Sequence, residues 1–362
     1  MAFPAPSPAR PIRVLIVDDS AFMRRAIERL LTAHPGVQVV GHATDGLDAV
    51  KKALELRPDV ITMDVEMPRM DGVSAVREIM QAVPTPIVMV STLTHEGTET
   101  AIRALEAGAV ECVGKPSGLS ADLVNVGEKL FEAVQRASHA RVLKRRLAPA
   151  APAAAPFRPP VRLPVAAGQT PANYVVVIGS STGGPPALTQ VIPNLPAGLN
   201  AAVIVVQHMP PGFTGALARR LDGMSPLPVA EAQQGDLLVH GKVFVAPGDY
   251  HLLVGRDRRV RLDQGPTVHG VRPSVDVTLF SVAEVFGGSV SVAILTGMGR
   301  DGADGAARVE AAGGHVFAQD EATSVVYGMP RVTFERTRHA RQLPLDRIAQ
   351  ALAASVPGRQ AS

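Results

Sequence analysis

An alanine- and proline-rich segment divides this chain of 362 residues into two parts. Between residues 148 and 168, 14 of 21 residues are Ala or Pro. Such a composition buries too little apolar surface to fold and is typical of a semi-rigid linker. Each flanking part is long enough for a globular domain of ordinary size. We therefore expect a first domain at residues 13–130, a linker at 131–168 and a second domain at 169–359.

The composition excludes several classes of protein. Hydrophobic residues make up 46% of the chain and charged residues 19%, which is too apolar for a disordered protein. The single cysteine, Cys112, cannot form an internal disulfide or a multi-cysteine metal site. No apolar run approaches the roughly 20 residues that cross a bilayer, and the first residues lack the apolar core of a secretion signal. We expect a cytoplasmic protein with no membrane insertion.

Short apolar runs alternate with helical periodicity in the first half. The runs lie at residues 14–17, 37–40, 60–63, 87–90 and 110–113. Between the first two, Phe22, Ile27 and Leu31 recur at helical spacing, and Ser20 is placed to cap that helix. Parallel strands need helical crossovers that cover both faces of a sheet. The pattern therefore predicts an α/β domain with a doubly wound parallel sheet.

The second half begins with the same pattern. A strand at 174–178, a helix at 185–192 and a strand at 202–206 predict another parallel sheet. The runs 243–246, 250–254 and 259–262 are separated by turn residues and are typical of hairpin strands. A helix and a buried strand then follow, at 275–286 and 290–295. We expect a second doubly wound domain with a β-hairpin insertion.

Acidic residues follow the first and third predicted strands. Asp18 and Asp19 come after the first strand, and Asp64 comes after the third. The carboxyl ends of parallel strands meet at one edge of the sheet, so these carboxylates should lie together. Oxygen ligands of this kind suit Mg²⁺, which retains waters and can accept a phosphoryl oxygen. Ser91 and Lys115 follow the fourth and fifth strands, where a hydroxyl and an ammonium group would bind phosphate.

This half resembles the receiver domains of two-component response regulators through the segments VLIVDDSAFMR, DVEMPRMDG, MVST and KP. The resemblance implies a flavodoxin-like fold with Asp64 as the phospho-acceptor and Mg²⁺ held by Asp18, Asp19 and Asp64. It implies that Ser91 is the switch hydroxyl and that Lys115 contacts the phosphoryl group. A histidine kinase is the implied phosphodonor.

A glycine-rich turn follows the first strand of the second half, where residues 179–184 read GSSTGG. This turn lacks the lysine of a phosphate-binding loop, and the next strand ends in a Gln-His pair rather than the acid of a dinucleotide site. We favour a serine nucleophile, because the glycines at 179 and 183 leave little side chain around Ser181. The helix N-terminus behind Ser181 would offer N–H groups to an oxyanion.

His208 and Asp301 follow two further strands of the second half. If residues 174–206 form a right-handed crossover, the two strand ends lie about 4.8 Å apart and His208 can reach Ser181. Asp301 follows the strand at 290–295 and would bond to the far nitrogen of His208, fixing its tautomer. This arrangement predicts acyl transfer through an acyl-serine. Ser181 as a turn hydroxyl, His208 as a packing residue and Asp301 as a helix N-cap remain alternatives.

The order serine, histidine, aspartate differs from that of α/β-hydrolases, in which His315 or His339 would have to act as the base. The second half instead resembles the CheB-type protein-glutamate methylesterase family. The resemblance covers about residues 169–359 and rests on the segments IGSSTGGPPAL, VVQHMPPGFT, VAPGDYHL, RPSVDVTLFSVAEVFG, ILTGMGRDGADG and AQDEATSVVYGMP. It implies a Rossmann-like catalytic domain joined to the receiver.

The resemblance implies hydrolysis of glutamate methyl esters on methylated chemoreceptors, together with deamidation of selected glutamines, under control of receiver phosphorylation. It implies Ser181 as the nucleophile, His208 as general base and then acid, and Asp301 as the orienting acid. The Met298 backbone N–H is the implied oxyanion donor, and Thr182 shapes the same site. No cofactor is implied for the esterase site.

Three positions depart from the family patterns. Cys112 lies three residues before the receiver lysine, where an aromatic residue is common, and we interpret it as a small buried hydrophobe. Arg300 replaces an asparagine before Asp301, so its charge could pair with Asp301 or attract an acidic receptor helix. Ser180 replaces a small apolar residue, but strand alternation and the flanking glycines favour Ser181 as the nucleophile.

Two other classes of function stay open at this point. The receiver could control a catalytically silent domain that docks on receptors. It could also control a DNA-binding output, but residues 169–359 contain no clustered basic recognition helix, and their 16 Lys and Arg are matched by 15 Asp and Glu. We therefore expect no nucleic acid partner and favour an enzyme.

Overall fold

The computed structural model describes residues 10–92, 94–115, 120–142 and 170–358, with side chains in the fifth helix described from residue 127 onward. The described residues form two compact units, one before and one after the alanine- and proline-rich segment. That segment itself, the predicted linker core at 148–168, lies outside the described residues. In each unit, helices alternate with the strands of a parallel sheet.

The first unit contains a five-stranded sheet in the order β2-β1-β3-β4-β5, with all neighbouring strands parallel. The strands are β1 (Ile12–Val17), β2 (Val37–Ala43), β3 (Val60–Asp64), β4 (Ile87–Ser91) and β5 (Glu111–Gly114). Each apolar run predicted from the sequence overlaps one of them. The doubly wound flavodoxin-like sheet is therefore confirmed, and its winding changes direction between β1 and β3.

Side-chain caps define where the helices of the first unit begin. Its helices are α1 (Ala21–Thr32), α2 (Gly46–Leu56), α3 (Gly72–Ala82), α4 (His95–Ala107) and α5 (Ser120–Ser138). Ser20 caps α1 as predicted, since its hydroxyl accepts a hydrogen bond from the Met23 N–H at 3.4 Å. Asp71 caps α3 in the same way through the Ser74 N–H at 2.7 Å.

Helix α5 continues past residue 130, where the predicted linker begins. Four of its apolar side chains recur at helical spacing and are buried, namely Leu130, Ala133, Val134 and Ala137. Arg136 also forms an ion pair with Glu111 of β5. Because these contacts hold the helix against the sheet, residues 131–138 are helical rather than extended.

The second unit contains a seven-stranded parallel sheet in the order β14-β13-β12-β6-β7-β9-β8. Its strands are β6 (Val175–Ser180), β7 (Ala202–Gln207), β8 (Val229–Glu231), β9 (Val243–Val245), β12 (Val290–Ile294), β13 (His315–Gln319) and β14 (Arg341–Leu343). A separate antiparallel hairpin is formed by β10 (His251–Val254) and β11 (Val260–Asp263). The predicted Rossmann-like domain with a hairpin insertion is confirmed.

One strand lies elsewhere than the sequence predicts. The run at 243–246 was expected in the hairpin, but β9 lies in the main sheet, where Val243 pairs with Val203 of β7 in parallel register. All three residues of β9 are buried. A short, continuously apolar run is typical of a parallel strand covered on both faces, so the hairpin prediction is wrong for this run.

The helices of the second unit cover both faces of its sheet. They are α6 (Gly184–Val191), α7 (Phe213–Asp222), α8 (Val275–Phe286), α9 (Ala303–Ala311), α10 (Met329–Arg336) and α11 (Leu345–Ser355). The chain winds outward from β6 through β7, then returns to β12 on the other side of β6. This reversal opens a crevice at the carboxyl ends of β6 and β12. Within the described residues, no helix has the length and apolar character needed to span a membrane.

Candidate functional site

The first unit gathers carboxylates at the reversal between β1 and β3. Asp18, Asp19 and Asp64 each offer an oxygen, and these oxygens lie within 4.8 Å of one another. Lys115 Nζ lies 3.0 Å from Asp18 Oδ2 and 2.7 Å from Asp64 Oδ2. The structure thus brings together the three acids and the lysine that were predicted from three separate strand ends.

Burial controls the charge of this acidic cluster. It raises the pKa of Asp64 to about 6, even though the bonded Lys115 ammonium acts in the opposite direction. Burial also disfavours the charge on Lys115, but the carboxylates of Asp64 and Asp18 outweigh it and raise the pKa of that ammonium. Asp18 Oδ2 is buried, and within the described part of the chain its contact is the ion pair with Lys115 at 3.0 Å. The three carboxylates therefore fit a hard divalent cation such as Mg²⁺.

Ser91 lies at the same sheet edge, at the end of β4, but its hydroxyl points into α4. It is 1% exposed and donates to the Gly97 carbonyl at 3.0 Å. Among the described residues no hydrogen bond joins the Ser91 hydroxyl to Asp64 or Lys115, although the Lys115 backbone N–H donates to the Ser91 carbonyl at 2.7 Å. Cys112 in β5 is buried, and burial raises the pKa of its thiol. The interpretation of Cys112 as a small packing residue is confirmed.

The second unit brings Ser181, His208 and Asp301 to the ends of three adjacent strands. Strands β12, β6 and β7 are neighbours in that order, and the three residues follow them at the carboxyl edge. His208 Nε2 lies 2.7 Å from Asp301 Oδ2. The His208 backbone N–H donates to the Ser180 carbonyl at 3.0 Å, next to the nucleophile candidate. Three distant stretches of sequence thus meet at one rim of the sheet.

The N-terminus of α8 surrounds the Asp301 carboxylate. Oδ1 accepts from the Ser274 hydroxyl at 2.7 Å and the Asp276 N–H at 3.1 Å, and Oδ2 accepts from the Val275 N–H at 2.7 Å. Burial alone would raise the pKa of Asp301, but its bond to His208 and these donors together lower it to about 2. Asp301 is therefore ionised, and its charge can stabilise a protonated His208.

Asp301 does not cap the helix that follows it. Helix α9 begins at Ala303, and its N-cap residue is Gly302, which has no side-chain cap. The carboxylate bonds to α8 instead, so the N-cap alternative for Asp301 is wrong. Ser274 before an apolar periodic run was a signal for the start of α8, but no sequence pattern connected that start with Asp301.

Ser181 is held by its backbone. Its N–H donates to the Thr296 carbonyl at 3.0 Å, and its side chain is nearly buried. A Cβ at position 297 would lie 2.8 Å from Ser181 Cβ, so a glycine is needed there. No hydrogen bond within the described residues joins the Ser181 hydroxyl to His208. Such bonds often tighten only when substrate binds.

Helix α6 does not supply the N–H groups that the sequence analysis expected. The Gly184 N–H donates to the Ser181 carbonyl at 2.8 Å. The next two residues, Pro185 and Pro186, have no N–H because their nitrogens are part of the ring. The prediction that the start of this helix binds the oxyanion is therefore wrong.

The Met298 backbone N–H remains a candidate oxyanion donor. In the described residues it makes no hydrogen bond, while the preceding Gly297 carbonyl accepts from the Met329 N–H at 2.7 Å. Thr182 is buried beside the nucleophile, and its carbonyl accepts from the Thr296 hydroxyl at 2.9 Å. These contacts support the turn that carries Met298.

Other candidate residues lie outside this constellation. His315 begins β13, and His339 precedes β14, so both lie toward the amino ends of the strands and are exposed. Neither can replace His208. Arg300 is exposed, and no ion pair with Asp301 occurs in the described part of the chain. The suggested pairing of Arg300 with Asp301 is wrong, because donors from α8 and His208 already surround that carboxylate.

His269 and Asp276 form a second group of possible metal ligands together with Asp301. Asp276 Oδ1 accepts from the Gly305 N–H at 2.7 Å, and Oδ2 lies 3.1 Å from His269 Nε2. Asp301 is bonded in the same way through both of its oxygens. These side chains therefore form a hydrogen-bond network behind the triad candidate rather than a set of open ligands.

Comparisons with known proteins identify a family for each half of the chain. The family model described as CheB methylesterase matches residues 176–352, and that of the response regulator receiver domain matches residues 14–125. The protein-glutamate methylesterase/protein-glutamine glutaminase of Symbiobacterium thermophilum is 51% identical, over 96% of this chain and 98% of that protein. The chain belongs to the CheB methylesterase family.

Further relatives cover the same length. The protein of the same name from Thermotoga maritima is 45% identical over 95% of this chain and 98% of that protein. The crystal structure of the Thermotoga maritima CheB methylesterase catalytic domain is 45% identical, covers 51% of this chain and 98% of that chain, and has a TM-score of 0.48. As a CheB methylesterase with a receiver domain, the chain is an enzyme. A silent docking domain and a DNA-binding output are therefore excluded.

Proposed function

We propose that this CheB family member hydrolyses glutamate methyl esters on methylated chemoreceptors and deamidates selected glutamines at such sites. Ser181 is the nucleophile, His208 the general base and acid, and Asp301 the orienting acid. The observation that carries the proposal is the 2.7 Å contact between His208 Nε2 and Asp301 Oδ2 beside Ser181. The names of the relatives at 51% and 45% identity state both activities.

The contact with Asp301 assigns the two nitrogens of His208 to different tasks. Because Nε2 donates to Asp301, the neutral ring carries its proton there, and Nδ1 is the nitrogen that can accept a proton. In the proposed reaction Ser181 Oγ attacks the ester carbonyl carbon while His208 Nδ1 takes the hydroxyl proton. The resulting imidazolium lies next to the ionised Asp301, which stabilises it.

Attack converts the carbonyl into a tetrahedral intermediate with a negatively charged oxygen. The Met298 N–H donates to this oxygen, and one such donor contributes about 3 kcal/mol in serine hydrolases. Collapse breaks the bond to the methoxy oxygen, which leaves as methanol after His208 returns the proton. Water then attacks the acyl-serine with His208 as base, which releases the glutamate carboxylate and Ser181. With a glutamine substrate, ammonia replaces methanol.

The acidic cluster of the receiver carries the proposed regulation. Asp64 accepts a phosphoryl group from a histidine kinase, Asp18, Asp19 and Asp64 hold Mg²⁺, and Lys115 neutralises the phosphoryl oxygens. When bound, Mg²⁺ would neutralise negative charge on the phosphoryl group that is transferred to Asp64. In this proposal the Ser91 hydroxyl leaves the Gly97 carbonyl and bonds to the phosphoryl group.

We also propose the domain boundaries and the location of the protein. The receiver occupies residues 13–130 with its last helix continuing to residue 138, a linker follows, and the catalytic domain occupies 169–359. A cytoplasmic location follows from a phosphodonor kinase and from substrate helices on the cytoplasmic side of chemoreceptors.

The direct test measures methanol release from a methylated receptor fragment by the intact chain. Acetyl phosphate with Mg²⁺ should raise the rate through Asp64, and Asp64→Asn should remove this response but keep the basal rate. Absence of methanol release by the intact chain, with and without acetyl phosphate, would contradict the proposed function.

Ser180→Ala is expected to keep kcat within about fivefold of wild type, since losing one neutral hydrogen bond costs about 1 kcal/mol. The Ser180 side chain is completely buried, and its hydroxyl donates to Gln207 Oε1 at 2.6 Å rather than facing substrate. Steady-state methanol release checks this. A loss of several thousandfold would indicate that Ser180 and not Ser181 is the nucleophile.

The affinity of the receiver for Mg²⁺ is expected to fall as the pH drops through about 6. The folded-state pKa of Asp64 is raised to about 6, so below that pH a proton competes with the cation for the carboxylate. Calorimetric titration of the intact chain with Mg²⁺ at pH 5 and pH 7.5 should give up to about tenfold weaker binding per pH unit on the acid side. Asp71→Asn, which affects only the cap of α3, should leave the titration unchanged, whereas equal affinity at both pH values would refute the expectation.

A further inference from the structure

The backbone does not join the nucleophile to the base. The parallel register of β6 and β7 ends where Ser180 pairs with Gln207, and the last cross-strand bond runs from the His208 N–H to the Ser180 carbonyl at 3.0 Å. The Ser181 N–H instead donates to Thr296, on the other side of β6. Among the described residues no backbone hydrogen bond links Ser181 with His208. The backbone thus ties His208 only to the residue before Ser181, and a direct link between Ser181 and His208 has to come from a side chain.

The amide of Gln207 bridges this gap. Its Nε2 donates to the Ser181 carbonyl at 2.9 Å and to the His208 carbonyl at 3.0 Å. Its Oε1 accepts the Ser180 hydroxyl at 2.6 Å. Gln207 is 2% exposed, so these bonds face little competition from water. One side chain thus touches the backbone of both the nucleophile and the base.

The surroundings allow a single orientation of this amide. Turning it over would place Oε1 against two carbonyl oxygens, which cannot donate, and would leave the Ser181 carbonyl with only its bond from the Gly184 N–H. Gly184 makes room for the group, because a Cβ at that position would lie 1.9 Å from Gln207 Oε1. The Ser180 hydroxyl donates to this same oxygen at 2.6 Å. Both ends of the amide are therefore bonded in the correct sense, with Oε1 accepting a hydrogen bond and Nε2 donating two.

We propose that Gln207 is a positioning residue that sets the separation of Ser181 and His208 for proton transfer; this inference rests on the proposed function. The two hydrogen bonds donated by its Nε2, rather than the volume of its side chain, set this separation. A misplacement of reacting groups by about 1 Å can cost about a hundredfold in rate, so the effect belongs in kcat. Substrate contacts are not involved, so KM should change little.

The test compares two variants of the intact chain that keep the length of the side chain. Gln207→Met removes all polar atoms, and Gln207→Glu keeps the shape and an acceptor but loses the paired N–H donors. Both should lower kcat for methanol release by about 10- to 100-fold with KM within about twofold. Retained activity in Gln207→Met would mean that the volume of the side chain matters and not its N–H donors. A kcat within twofold of wild type for both variants overturns the inference.

A matched control separates positioning from loss of stability. Tyr174→Phe removes a buried hydroxyl that bonds to Ser291 Oγ at 2.8 Å, at the start of β6 and away from the carboxyl edge. It should lower the melting temperature while kcat stays within twofold of wild type. For each variant, the loss in kcat is compared with the loss in melting temperature. If this ratio is the same for Tyr174→Phe and the Gln207 variants, the positioning role of Gln207 is refuted. If one Gln207 variant fails to fold, the other decides the result by the same criterion.

The wild type and Ser181→Ala are measured in the same assay. No methanol release by wild type refutes the proposed function itself. Release by wild type that is lost in Ser181→Ala, together with full activity of both Gln207 variants, refutes only the role of Gln207. The two failures are therefore distinguishable.

Discussion

Replacing Ser181 with alanine is expected to lower kcat for methanol release by at least about 10⁴-fold, as loss of the nucleophile does in serine proteases. Without Oγ no acyl-enzyme can form, and any residual rate must come from water attack in a site that still binds the oxyanion. The fold should be retained, because Ser181 is held through its backbone N–H and carbonyl. The measurement is release of labelled methanol from methylated receptor fragment, with circular dichroism to check folding.

Ser180→Ala is the natural control for this variant. The two serines are adjacent, and only their environments distinguish them: Ser180 is fully buried and bonded to Gln207, whereas Ser181 lies at the strand end next to Gly297. If Ser181→Ala released methanol within tenfold of wild type, the acyl-serine mechanism would be untenable. Formation of a covalent adduct with a fluorophosphonate probe, lost in Ser181→Ala alone, would support it independently.

Replacing Asp301 with asparagine is expected to lower kcat by about 10⁴-fold, as it does for the corresponding acid of serine proteases. The groups that bond to the carboxylate are donors, among them the Ser274 hydroxyl, the Val275 N–H and His208 Nε2. An amide NH₂ at either oxygen position would face a donor. Asparagine would therefore turn His208 toward the wrong tautomer, with its proton on the nitrogen that must act as base.

The same substitution should reduce stability in a pH-dependent way. The folded-state pKa of Asp301 is lowered to about 2 from an ordinary value of 3.8, so the folded state is stabilised by the ionised form above about pH 4. The shift corresponds to about 2 kcal/mol at pH 7, and this contribution is lost as the pH falls through about 2. Calorimetric unfolding of Asp301→Asn and wild type should differ most at neutral pH and converge in acid.

Asp304→Asn is the matched control for Asp301→Asn. Asp304 lies three residues further on, in the first turn of α9, and its partner is Arg336 at the surface, at 3.0 Å. Its replacement should leave kcat unchanged. The free energy of unfolding should change by no more than about 1 kcal/mol. Comparable losses of activity in both variants would show that Asp301 acts through general stability and not through His208.

The sequence predicted the parts of the site that follow from strand ends. Asp18, Asp64 and Lys115 come directly after buried apolar runs, and the parallel sheet necessarily brings such ends together. The same reasoning brought His208 to Asp301, because β7 and β12 flank β6. Periodicity predicts these features because burial on both faces of a sheet requires continuous apolar strands.

The supporting contacts were not predictable in the same way. Gln207 stands out in the sequence only as a polar residue at the end of an apolar strand, and Ser274 only as a helix cap. The error at β9 has a related cause, since a short buried run does not reveal whether its partner is parallel or antiparallel. Pro185 and Pro186 could have warned that the start of α6 lacks N–H donors, because proline has none.

The sequence by itself determined the two-domain α/β organisation and the family, and it supplied the residues that we propose as the reactive groups, because apolar periodicity and the residues after each strand are local properties of the chain. Only the tertiary structure decided how those groups are held. The α8 N-terminus bonds to Asp301, the Gln207 amide joins Ser181 to His208, and the Ser91 hydroxyl turns to Gly97. Each of these contacts depends on directions of donors and acceptors from distant segments, and packing alone sets those directions.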